Sequence, residues 1–404
     1  MLKSVIAEVI GACVIGIGAI IIRKVRDKRL RSRISHKGRL ISDSLFHSVK
    51  TVNTILTEGR HSMPVSTEFI DYGVATRKGY YSGDFKSFTL KIGDDVEQVE
   101  LPYAELVDFT EGDAHIAVDT SLADEPYALP EDLAEKTRRS FDRFNSTGKL
   151  TSNDATVRVA GFSKKTGPET GYVCKVQPAT YYDQVRTNLT LDFLLPGIEE
   201  STVRMLDLGP DNSLRPFEDS IMANTLGVSA VWVMVDDAAS SRDRRFKFFL
   251  MPRRRKTGVY SGMLSSIGGV AKQPENMMFR SNDFVEYAAA EMKREFVEEC
   301  GVDTLVSSGV LDEADITMIP LAFVRDLDRG GKPQFFFLIS TPVIPKKQLS
   351  AAFRKSFNGT DEFASGVMER MSTMYLSPET YSNLIYALRW LQRNNHTGFI
   401  DLGC

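Results

Sequence analysis

The chain has 404 residues, enough for two domains or one elaborated domain with extensions. Its apolar content of 42% and charged content of 25% belong to a globular protein that can bury a core, and a net charge of −3 gives no ground for expecting a nucleic acid polymer as partner. Four scattered cysteines (Cys13, Cys174, Cys300, Cys404) with no CxxC argue against a disulfide framework or a zinc knuckle, and the five histidines show no metal-ligand spacing.

Residues Val5 to Ile22, VIAEVIGACVIGIGAIII, form an apolar run of eighteen interrupted only by Glu8. As a helix this run is about 27 Å long, enough for a bilayer core. It is apolar on nearly every side, unlike an amphipathic surface helix. The following RKVRDKRLRSR sets Arg23, Lys24, Arg26, Lys28, Arg29, Arg31 and Arg33 against Asp27. By the positive-inside rule this flank stays in the cytosol. A cleavable signal would carry its charges before the apolar run, where only Lys3 stands. Residues 1–33 therefore predict a single-pass anchor with the N-terminus outside and a cytosolic body, and membrane lipid as a partner. Ala7/Gly11 and Ala12/Gly16 are small residues four apart, a spacing that lets anchor helices pack and leaves a homo-oligomer open.

Residues 34–148 read as an α+β region of unknown role. SDSLFHSVKTVNTILTEG has helical spacing, while KSFTLKIGDD, EQVELPYAELVDF and HIAVDTS alternate like strands. LPEDLAEKTRRSFDRFN begins with proline and acidic residues and ends with basic ones, the charge order a helix favours. The polar NSTGKLTSND marks a boundary before a second domain, 149–404. There, ATVRVAGFSKK, GYVCKVQP and TNLTLDFLLP predict strands and FEDSIMANTL a short helix. LGVSAVWVMVDD predicts a buried strand, and RRFKFFLMPRRRK a strand ending in Arg253, Arg254, Arg255 and Lys256. MIPLAFVRD and KPQFFFLIST flank the hairpin turn DRGGK. PETYSNLIYALRWLQRNN predicts a helix whose core face is Tyr381, Leu384, Ile385, Leu388 and Leu391. Strands mixed with helices throughout predict an α/β (α+β) fold.

The most informative stretch is REFVEECGV, residues 294–302. At about 100° per residue, Glu295, Glu298 and Glu299 fall within one arc of a helix. Like charges at this spacing repel, so the arrangement calls for a compensating cation. Val285, Ala288, Ala289, Met292 and Phe296 make a separate apolar face. Gly301 suits a left-handed helix end. Ser281, Asn282 and Asp283 offer caps at the start, with Glu286 placed as in a capping box.

This stretch resembles the signature helix of Nudix hydrolases. Glu286, seven residues, Arg294, Glu295, Glu298, Glu299, Gly301 and Val302 match the pattern position by position. Phe296 takes its aliphatic slot, and Arg280 stands where the leading glycine is expected. Gly268 or Gly269 of SSIGGV, with about eleven residues inserted before the helix, can supply that glycine. The resemblance covers roughly residues 150–404, most closely 226–345.

The resemblance implies a Nudix-like mixed sheet between helices and a substrate made of a nucleoside diphosphate linked to another group. It implies Mg²⁺ or Mn²⁺ as cofactor, with Glu295, Glu298 and Glu299 as metal ligands. It also implies that Arg294 holds the acidic residues in place, paired with Glu286, a role that competes with helix capping. Arg253, Arg254 and Arg255 can hold substrate phosphates by charge-assisted bonds or form an exposed basic turn. Asp361 or Glu362 can complete the site, and Tyr260 or Phe335 to Phe337 can stack on a base or fill the core. Two functional classes follow: a membrane-tethered pyrophosphohydrolase, or a nucleotide-sensing effector similar in layout to membrane-anchored SMODS-associated Nudix proteins.

Overall fold

The computed structural model describes residues 80–81, 83–92, 95–146, 152–165, 171–196, 201–236, 245–252, 264–356, 377–394 and 399–401. The N-terminal apolar run and its basic flank, the boundary segment 147–151, Arg253, Arg254, Arg255, Lys256, Tyr260, Asp361 and Glu362 lie outside these residues. Among the described residues, no helix is long and apolar enough to cross a membrane.

The fold is mixed α+β. β1 (Lys86–Ile92) and β2 (Asp95–Leu101) form an antiparallel hairpin. Pro102, which has no N–H for a ladder, separates β2 from β3 (Tyr103–Asp108), so the expected single strand becomes two. β4 (Ile116–Asp119), β5 (Ala155–Lys164) and β6 (Tyr172–Thr180) make a three-stranded sheet in the order β4-β6-β5, with β4 parallel to β6.

The main sheet collects β7 (Gly227–Asp236), β8 (Arg245–Phe249), β11 (Ile267–Val270), β12 (Thr317–Asp326), β13 (Lys332–Pro342), β14 (Phe399–Asp401) and β3. The two-residue strands β9 (Met251–Pro252) and β10 (Leu264–Ser265) pair with each other beside it. Its order is β14-β8-β7-β13-β12-β3, and β11 lies antiparallel to the first half of β7. β7 and β13 run parallel at the centre, with Phe335 opposite Val228 and Phe337 opposite Ala230. Strands covered on both faces read as unbroken apolar runs, which is why FFFLI is buried throughout. Phe335, Phe336 and Phe337 are therefore core residues rather than base-stacking ones.

Among the described residues the α-helices are α1 (Glu131–Lys136), α2 (Arg138–Ser146), α3 (Tyr181–Gln184), α4 (Val203–Leu206), α5 (Phe284–Cys300), α6 (Val302–Ser307), α7 (Lys346–Ser356) and α8 (Pro378–Arg393). Alternation along β7 sends α5 and α8 to opposite faces of the main sheet. Trp232 meets Phe296 of α5 edge to face at 4.9 Å, whereas the Ser229 hydroxyl accepts from Asn383 Nδ2 of α8 at 3.3 Å. The five residues expected on the core face of α8 are all buried.

Three expectations change. The boundary near 148 is crossed by strand pairing, because β3 completes the main sheet beside β12 and β4 pairs with β6. TNLTLDFLLP is not a strand: Thr180 caps a helical turn through Asp183, and the next turns are held by Thr187 and Thr190, whose hydroxyls bond back to Asp183 O and Val185 O. FEDSIMANTL is not a helix, because side chains satisfy its backbone instead. Asp207 accepts from Ile221 N, and Asn188 accepts from Asn224 N while donating to Asn224 Oδ1.

Candidate functional site

The site is built on α5 and on the strand that precedes it. Asp283 caps the helix by accepting from Val285 N at 2.8 Å, and Gly301 ends it with φ 64, its N–H bonding Val297 O. Ala288, Met292 and Phe296 are buried against the sheet, with Val285 and Ala289 packed at the margin. The docked face fixes the rotation of the helix, and rotation decides where its carboxylates go.

They go toward β11. A Cβ on Gly269 would lie 2.3 Å from Glu295 Oε1, and one on Gly268 would lie 2.3 Å from the carbonyl oxygen of Val228. At Gly268 the neighbour is sheet backbone and only glycine fits, whereas at Gly269 it is the end of the Glu295 side chain. Gly268 N donates to Glu299 Oε2 at 3.1 Å. The GG pair thus lies next to the acidic helix, and residues 271–282 loop out between strand and helix.

Arg294 gathers the acidic side chains. Its Nη2 donates to Glu295 Oε1 at 2.8 Å and to Glu291 Oε2 at 2.9 Å, and its Nη1 donates to Glu298 Oε2 at 2.9 Å. The expected pairing of Arg294 with Glu286 does not form. Glu286 is exposed in the first turn of α5, and Glu291, one turn before Arg294, takes that place. Nor does Glu286 close a capping box, since the N-cap bond is the one from Val285 N to Asp283.

Burial raises the pKa of Glu295, with Arg294 opposing and Glu298 and Glu291 reinforcing the rise. Burial also works against the charge of Arg294, but Glu295, Glu291 and Glu298 outweigh it and hold the guanidinium above its ordinary value. Glu298 is the outward member at 50% exposure, against 13% for Glu295. Lys272, from the looped segment, reaches it with Nζ 3.3 Å from Glu298 Oε1.

Two contributors escaped the sequence reading. Glu291 lies three residues before Arg294, a spacing that brings side chains together on a helix, and that was the available signal. Lys272 had none, because its place depends on how the loop closes back. The thiols of Cys174 and Cys300 are free and buried, and burial pushes both pKa values up.

Among the described residues, no three His, Cys, Asp or Glu side chains converge as a ready-made metal cage. The donor set still fits a hard divalent ion in kind. Magnesium keeps several waters and needs only one or two carboxylates besides substrate phosphates. In comparisons with known proteins, no family model and no curated protein matches the chain.

Proposed function

We propose that this chain is a membrane-tethered, divalent-metal-dependent pyrophosphohydrolase of the Nudix type, cleaving a nucleoside diphosphate linked to another moiety. One observation carries the reading. The Gly268–Gly269 strand is pressed against a helix whose Arg294 bonds Glu291, Glu295 and Glu298, with Gly269 leaving room for the Glu295 carboxylate against the strand and Gly268 N donating to Glu299. A solvated acidic helix face would not require that approach.

The chemistry follows from charge. A diphosphate ester repels an attacking hydroxide, so its charge must be neutralised before water reaches phosphorus. Glu295, Glu298 and Glu299 would hold the ion, and a bound Mg²⁺ or Mn²⁺ supplies that neutralisation and makes the attacking water more acidic. Arg294 orients Glu295 and Glu298 through separate N–H groups, keeping like charges on one helix face. Gly268 N fixes Glu299. Glu298, half exposed, is the carboxylate best placed to meet an incoming ligand. The N-terminal apolar run would hold this site at a membrane surface, which extraction at alkaline pH tests: an anchored chain stays with the lipid, and a released one rejects the tether.

The activity test uses the full-length protein in detergent with Mg²⁺ and a panel of nucleoside diphosphates carrying different second groups. Glu298→Gln and Glu299→Gln should each lower turnover by roughly 100-fold or more. Nucleotide binding without turnover, unchanged in both variants, would replace the hydrolase by a nucleotide-sensing effector.

A further inference from the structure

The looped segment 271–282 does more than connect β11 to α5. Lys272 is pinned by its backbone from three directions. Its N–H donates to Glu291 Oε2 at 2.8 Å, its carbonyl accepts from Tyr287 Oη at 2.6 Å, and it forms an antiparallel bridge with Thr156 of β5. Only the side chain is left free to move, and it points into the acidic patch, 51% exposed, to pair with Glu298.

Glu298 is thereby held by a cation at each oxygen: Arg294 Nη1 at Oε2 and Lys272 Nζ at Oε1. The two cations differ. Arg294 is bonded to three carboxylates and to Val270 O, so it cannot leave without stranding them. Lys272 makes one half-exposed ion pair, the kind worth little and exchanged readily. On this face four carboxylates, Glu291, Glu295, Glu298 and Glu299, gather around two cationic side chains, Arg294 and Lys272.

We propose that Lys272 is the site's resident counter-ion: a divalent cation displaces its ammonium from Glu298, and the freed ammonium, tethered by its pinned backbone, then binds the substrate's diphosphate. This rests on the metal-dependent reading above and adds to it a substrate-positioning residue outside the signature helix. A lysine in this place acts first as competitor and then as ligand. Its removal must therefore move two affinities in opposite directions, which loss of a structural residue would not do.

The test titrates the full-length protein with Mn²⁺ alone, followed by electron paramagnetic resonance, and then with inorganic pyrophosphate at saturating Mn²⁺. Lys272→Met should bind Mn²⁺ about two- to fivefold more tightly, as expected for an exposed pair, and bind pyrophosphate more weakly by a similar factor. Lys272→Arg should restore the pyrophosphate affinity. If Lys272→Met weakens both ligands, or changes neither, while Glu298→Gln still lowers Mn²⁺ affinity, the role of Lys272 is overturned and the metal site stands. If the unaltered protein binds no Mn²⁺, both fall.

Discussion

The acidic patch on α5 and the ionic network beneath α8 are made of the same residue types and sit on opposite faces of one sheet. Under α8, Arg329 donates to Asp326 Oδ2 and to Glu379 Oε2, Gln334 donates to Glu379 Oε1, and Lys332 donates to Gln334 Oε1. Every one of these side chains is buried, and two cations, Arg329 and Lys332, match two anions, Asp326 and Glu379, with Gln334 bridging between Lys332 and Glu379. On α5 the carboxylates outnumber the cations, and the outermost pair is half in solvent. A balanced, dry network can only hold the fold together, whereas an unbalanced, wet one can take up a charged ligand. Location relative to water, more than the presence of charge, separates the two.

The largest effect should come from the dry side. Arg329→Ala leaves Asp326 and Glu379 without their shared cation in the interior, which costs about 3–5 kcal/mol, read as a fall in the urea midpoint. Glu298→Gln, on the wet side, should change stability by less than about 0.5 kcal/mol while abolishing turnover. Equal losses of stability in the two variants would erase the distinction.

A second buried polar group sharpens it through pH. Asp207 accepts from Ser220 Oγ and Ile221 N, and burial pushes its pKa from 3.8 to about 6 despite those bonds and the nearby charges of Arg215 and Arg325. The folded state therefore binds this proton more tightly than the unfolded state does. Its contribution to stability is complete below about pH 4 and is lost as pH rises through about 6, on the order of 3 kcal/mol in all. Denaturation of the unaltered protein and of Asp207→Asn at both ends of that window should show the slope only in the former.

The two glycines divide in the same way. In Gly268→Ala the new Cβ meets the backbone oxygen of Val228 and the Cα of Ser229, atoms held in the sheet, so about 1–3 kcal/mol of stability should go. In Gly269→Ala it meets the end of the Glu295 side chain, which can swing aside. That variant should keep most of its stability and lose Mn²⁺ affinity. A comparable loss of stability in both would mean that Glu295 is locked by packing rather than held in place for a ligand.

How much of this was legible beforehand follows the range of the interactions. The helix of the site, its cap at Asp283, its end at Gly301 and its buried face depend on neighbours within a turn or two, and local spacing shows them. The place of β3 at the edge of the main sheet depends on pairing with β12, more than two hundred residues away, and nothing local in PYAELVDF marks it. TNLTLDFLLP misled because its threonines and aromatic residue favour strands in general, while here the threonine hydroxyls bond back along a helical turn. In the site, Glu295, Glu298 and Glu299 were readable from periodicity. Lys272 was not, because a loop's return path is not written in any period.

The partner of Arg294 provides the finest test. The resemblance assigns that role to Glu286, but Glu291 Oε2 accepts from Arg294 Nε and Nη2 and from Lys272 N, joining guanidinium, helix and loop at a single atom. Removing it should cost about 1 kcal/mol in stability, since the pair is partly solvated, but more in function. With Glu291→Ala, Arg294 loses its N-terminal anchor and the loop loses one of its ties to α5, keeping the bond from Tyr287 Oη to Lys272 O. Mn²⁺ affinity should then drop about 10- to 100-fold, the usual cost of losing an outer-shell partner. Glu286→Ala removes an exposed side chain from the first turn and should leave both stability and Mn²⁺ affinity close to unaltered values. The reverse result would return the role to Glu286 and require α5 to present a different face to β11 when a ligand is bound.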